Sequence, residues 1–140
     1  MSRGAVRAVA GVAEVLAWRV VVRGGLAVGS LDGVAKLVAG LARCSACRGG
    51  ACVGSVGQVE SLARRWLPAR GLLGAACLER SFVVHGMLLR RGVSGAVLRI
   101  GVLTRAGRVQ AHAWNCVDSR PLLGDTEHES VRPIWAWPSG

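Results

Sequence analysis

Apolar residues follow helical spacing over the first two thirds of the chain and an extended pattern after it. Residues 5–23 are rich in Ala, Val and Leu, with sparse charges. Arg3, Arg7 and Glu14 lie close together on a helical wheel, which predicts an amphipathic first helix stopped by Gly24 and Gly25. Ser30 or Asp32 can cap a second helix over 31–42. The stretch "RCSACRGGACVG", 43–54, reads as a loop. Ser55 can then cap a third helix through "VGQVESLARRW", which ends before Pro68. The strongest helical signal is "GLLGAACLERSFVVHGMLLRRG", 71–92. A glycine turn precedes it, and Glu79 sits in its first turn. Leu78, Phe82, His85 and Leu89 form a stripe, and Arg90, Arg91 and Gly92 close the carbonyl end.

The pattern then changes. "AVLRIGVLT" and "RVQAHAWNCV" predict two strands joined by a turn at Arg105, Ala106 and Gly107. A second turn near Asp118 leads into a returning strand. The tail "RPIWAWPSG" is expected to lay its tryptophans on the core. A helical part, 1–68, thus precedes a mixed part, 69–140, within one domain of ordinary size.

Composition allows a packed core, since 51% of residues are hydrophobic. The net charge of +10 favours an acidic partner such as nucleic acid, an anionic membrane or an acidic peptide. The basic residues are spread out, however, and no run of five or six occurs. A non-enzymatic nucleic-acid module would interleave clustered basic residues with aromatics. Here both are scattered, so no nucleic-acid partner is expected. Arg7, Glu14, Arg19 and Arg23 interrupt the N-terminal apolar stretches, so no transmembrane span is expected. Glu14 also spoils a faint likeness to a signal peptide. The protein reads as cytoplasmic, and its odd number of cysteines does not read as a disulfide framework. Cys44, Cys47 and Cys52 resemble half a metal site, but zinc needs four ligands and no histidine is near. They read as loop residues, and neither metal nor cofactor is expected.

Cys77 is better placed for chemistry. The start of a helix favours a thiolate, and its free N–H groups can hold an oxyanion. His85 cannot serve this thiol, being eight residues, about 12 Å, along the same helix. His128 lies in the polar stretch "DTEHES". His112, mid-strand between alanines, is the best candidate base. Asp118 is roughly 20 Å from His112 along the strand. Asp125 fits better: a two-residue turn at Asp118-Ser119 sets 117 opposite 120 and, by counting back, 112 opposite 125. A turn at Ser119-Arg120 keeps 125 on the same face, whereas a three-residue loop breaks the parity. Cys116 shares the face of His112 and Trp114 and is a rival thiol, without a helix dipole.

"CLERSFVVHGMLLRRG", "LRIGV", "AHAW" and, after a short turn, "LLGD" together resemble the lasso peptide leader peptidases, over residues 76–127. The pair "NC" after "HAW" departs from the family's usual strand. The resemblance implies a papain/transglutaminase-like α+β fold: a helical N-terminal half, then a catalytic helix and a small antiparallel sheet. It also implies a cysteine protease with Cys77 as nucleophile, His112 as base and Asp125 completing the triad. The implied task is removal of the leader from a ribosomally made precursor peptide. The implied partners are a small leader-binding recognition protein and a separate asparagine-synthetase-like lasso cyclase. The same triad would serve an amidase or acyl transferase.

Overall fold

A computed structural model describes residues 2–46, 56–68, 76–123 and 131–139. Among them, helices α1 (Arg3–Val28), α2 (Leu31–Cys44), α3 (Val56–Trp66) and α4 (Cys77–Arg90) precede strands β1 (Ala96–Arg105), β2 (Arg108–Val117), β3 (Arg120–Pro121) and β4 (Arg132–Trp137). The strands form one antiparallel sheet in the order β3-β2-β1-β4, giving the expected α+β class.

α4 is the centre of the molecule. Glu79 and every residue from Ser81 to Leu88 are buried, so the helix is covered well beyond one stripe. It packs on α1, α2 and α3 and on β1 and β2. Phe82, Val83, Val84, Met87 and Leu88 are fully buried, and each large apolar side chain contributes about 1.5–3 kcal/mol. The helix ends as a Schellman motif. Gly92, at φ 68°, donates to the Leu89 carbonyl, and Val93 donates to that of Leu88.

α1 departs from expectation in two ways. It runs through Gly24 and Gly25 to Val28. The glycines weaken a helix by about 1 kcal/mol each relative to alanine, but Val22 is buried and Leu26 packs on the core. A Cβ at Gly25 would lie 3.2 Å from Val34 of α2, so its small size lets the two helices approach. The helix is also not simply amphipathic. Glu14 is turned inward to Arg90 and Arg91, while Val9 and Val20 are 62% and 74% exposed on the outer side. Of the two possible caps of α2, Ser30 is the one used: its Oγ accepts from the Gly33 N–H at 3.1 Å. The predicted loop at 43–54 and the Ser55 cap largely fall outside the described residues; α2 itself reaches Cys44.

Both hairpin turns follow their sequences. Ala106-Gly107 joins β1 to β2 and Asp118-Ser119 joins β2 to β3, each with two consecutive positive φ angles as a two-residue turn requires. The tryptophan tail is a strand: β4 pairs with β1, and its Pro133 sits on a sheet edge where the missing N–H is tolerated. Trp135 packs against Phe82 and donates its Nε1–H to Asp32 at 3.0 Å.

Gly86 faces the ring of Trp18, and an added Cβ would lie 2.9–3.0 Å from three ring atoms. Gly86→Ala is therefore expected to destabilise the protein by about 1–3 kcal/mol, as overpacking does, read as a lowered thermal melting temperature. An unchanged melting temperature would show that Trp18 can yield.

Candidate active site

Cys77 is the first residue of α4, and its thiol is exposed and free. Ala76 occupies the cap position and offers no side-chain hydrogen bond to the first turn. The N–H groups of Cys77, Leu78 and Glu79 therefore have neither an acceptor within the helix nor a capping oxygen from Ala76. The first such bond is donated by Arg80 to Ala76 O, at 2.9 Å. Glu79 would bring negative charge beside the thiol, but Arg19 Nε lies 2.8 Å and Arg23 Nε 3.5 Å from its carboxylate oxygens, which balances it.

His112 lies mid-strand in β2, opposite Gly101 of β1, half-buried and stacked on Trp114 with ring centroids 5.7 Å apart. α4 and β2 meet at a specific contact: Asn115 Nδ2 donates to the Ser81 carbonyl at 2.9 Å, in a buried setting. Going back from that contact, Cys77 is one helical turn, about 6 Å, before Ser81. His112 is three strand residues, about 10 Å, before Asn115. Each thus lies within about 10 Å of that contact along its own element. Strand alternation turns His112 to the face of Trp114 and Cys116, opposite Asn115. Among the described residues β3 covers β2 only at Cys116 and Val117, so the strand edge beside His112 has no such cover.

Cys116 does not compete. It is 3% exposed, packed with Trp114 and Val131, and about 13 Å along the strand from His112. Asp125 and His128 lie outside the described residues, as do Cys47 and Cys52. The turn that would bring Asp125 back is the two-residue one at Asp118-Ser119, with Val117 facing Arg120. The chain leaves the ladder at Leu123, at φ 65°, where Glu60 of α3 accepts its N–H at 2.9 Å. Glu60 thus holds the backbone two residues before Asp125. Nothing local in its helix marks it for that task, so sequence reasoning missed it. Among the described residues no three His, Cys, Asp or Glu side chains gather to hold a metal ion.

The chain matches the family described as the transglutaminase-like superfamily over residues 26–136. It belongs to the transglutaminase-like superfamily. Searches of curated proteins and of solved structures returned no match. Members of this superfamily are generally cysteine-dependent enzymes, and the match is consistent with peptidase or acyl-transfer chemistry. It spans Cys77, His112 and Asp125. No helix among the described residues is long and apolar enough to cross a membrane.

The transglutaminase-like core also holds a second histidine, among its buried residues. His85 is fully buried in α4, and burial pushes its pKa down to about 4. Asn115 lies close enough to oppose this, but neither ring nitrogen makes a well-formed hydrogen bond. With a folded pKa below the ordinary 6.5, the unfolded chain binds the extra proton between the two values. Stability is then complete above pH 6.5 and falls as the pH drops toward 4, by about 3 kcal/mol from this group. Glu14 acts in the same direction at lower pH. Burial raises its pKa, but Arg91 and Arg90 outweigh that and hold it below the usual value, so its contribution is lost on further acidification. Denaturant melts between pH 7 and 4.5 are expected to show the loss in wild type and a much flatter profile in His85→Leu. Parallel profiles would place the acid sensitivity elsewhere.

Proposed function

We propose that this transglutaminase-like protein is a cysteine peptidase, one domain over 1–140, that removes the leader from a ribosomally synthesised lasso peptide precursor. The observation that carries the chemistry is the exposed Cys77 at the start of α4, where Ala76 offers no side-chain cap. The ordered motifs around Cys77, His112 and "LLGD" carry the choice of substrate. In this reading His112 takes the proton of Cys77, and Asp125 fixes the imidazole tautomer. The thiolate attacks the carbonyl at the leader–core junction, forming a carbon–sulfur bond. N–H groups of the first turn of α4 hold the oxyanion. As the carbon–nitrogen bond breaks, His112 protonates the leaving amine. Water, deprotonated by His112, then splits the thioester and restores the thiol.

The reading places the reaction in the cytoplasm, with a small leader-binding protein presenting the precursor. A separate asparagine-synthetase-like cyclase joins the freed amine to an acidic side chain. The basic charge suits an acidic leader or partner. The second reading, an amidase or acyl transferase, uses the same triad with an amine in place of water, and the breadth of the superfamily supports it.

The test is mass spectrometry of a lasso precursor peptide incubated with the protein and a leader-binding protein. A single cut at the leader–core junction is expected in wild type, none in Cys77→Ala, and a loss of about 10²–10⁴-fold in His112→Ala. Asp125→Asn should lose activity strongly while staying folded, and Cys116→Ala should keep it. Cleavage retained in Cys77→Ala would overturn the assignment. Transfer of the acyl group to an added amine, without hydrolysis, would favour the second reading.

A further inference from the structure

Asn115 is the residue that breaks the apolar run of β2 between Trp114 and Cys116, and it is 4% exposed. A buried amide there is costly unless it is satisfied, and it is only half satisfied. Its Nδ2 donates to Ser81 O, while Oδ1 and both nitrogens of the neighbouring His85 lack a well-formed bond. Leucine has nearly the same shape and would avoid that cost. What leucine would not provide is direction. Apolar contacts leave a strand free to settle at several offsets along a helix, whereas a hydrogen bond fixes one. The acceptor chosen is one turn after Cys77, and the donor is three residues after His112. The remaining support of β2 comes from β1, which pairs along its whole length and packs on α4 through apolar residues such as Ala96 and Leu98, and from β3 at Cys116 and Val117.

We infer that Asn115 is a positioning residue: its bond to Ser81 sets the offset of β2 against α4 and thereby places the His112 imidazole relative to the Cys77 thiol. The inference rests on the pairing of Cys77 with His112 proposed above. An error of about 1 Å in such a pair can cost 10²-fold in rate, so a residue that fixes the offset acts on the chemistry without touching it. The polar atoms left unpaired around His85 are the accompanying cost of holding an amide there.

The readout is the rate at which iodoacetamide alkylates Cys77 at pH 7 in the full chain, followed on the peptide that carries it by mass spectrometry. It needs no substrate. His112→Ala is measured first and is expected to slow alkylation. If it does not, thiol and imidazole are not coupled, and the pairing and this inference both fall. Given that coupling, Asn115→Leu is expected to slow alkylation about tenfold or more, toward the His112→Ala rate. An unchanged rate would overturn the inference alone. Asn115→Leu leaves His85 beside an apolar neighbour and lowers stability, so a double variant, His85→Leu with Asn115→Leu, separates the two effects. Replacing both polar partners by apolar groups of similar shape is expected to return the melting temperature to near wild type. Slow alkylation in that refolded, stable double variant supports positioning. Recovery of alkylation together with stability would show that Asn115 is only structural.

Discussion

Burial of α4 on nearly every side is the constraint from which the rest of the structure follows. A helix sealed along its middle can meet solvent only at its ends, so any chemistry it carries must sit there. Its partner α1 supplies the matching charges. Glu14 takes a bidentate grip on Arg91 and also pairs with Arg90 at the end of α4, while Arg19 pairs with Glu79 at its start. Inverting α1 would set Glu14 near Glu79 and Arg19 near Arg91, bringing like charges together in a partly buried site. Apolar packing supplies most of the attraction between the two helices, and these charges choose its direction.

The same charges prepare the helix start. Glu79 is a good first-turn residue for a helix but a poor neighbour for an anionic sulfur. Arg19 and Arg23 let it be the first without being the second. The sheet contributes a different kind of order. β1 and β2 are long and locally paired, so the position of His112 along the sheet is well determined. Where the sheet sits on the helix is determined by few polar contacts, and Asn115 is one in the buried interface.

What could be read from the sequence was what local chemistry decides. The start of α4 was legible because glycines, a cysteine and an acid announce it, and its end because Arg-Arg-Gly closes it. A tight turn near Asp118 was legible, but its placement at Asp118-Ser119 and not Ser119-Arg120 was decided only by the pairing of Val117 with Arg120. The course of α1 was not, because Gly24 and Gly25 are helix breakers by propensity and are overruled by packing on α2. β4 was hidden by Pro133, acceptable there only because the strand lies at an edge. The setting of His85 and the inward turn of Glu14 depend on partners 30 or more residues away in sequence, Asn115 for one and Arg91 for the other. Asn115 itself left a trace, a polar side chain inside an apolar strand, whose meaning appears only once Ser81 lies opposite.

The strand order β3-β2-β1-β4 has a consequence for assembly. The outer edge of β1 is closed by residues 132–137, which lie after the rest of the sheet in the chain. A polypeptide emerging from its N-terminus can assemble α1, α2 and α4 and zip the β1–β2 hairpin, all through comparatively near neighbours. It must then wait, with one side of β1 unpaired, for "RPIWAW" to arrive. Until Trp135 reaches Phe82 and Asp32, that edge is a template any extended peptide can occupy. The last strand is thus both a structural element and the cap that ends the nascent chain's exposure to its neighbours.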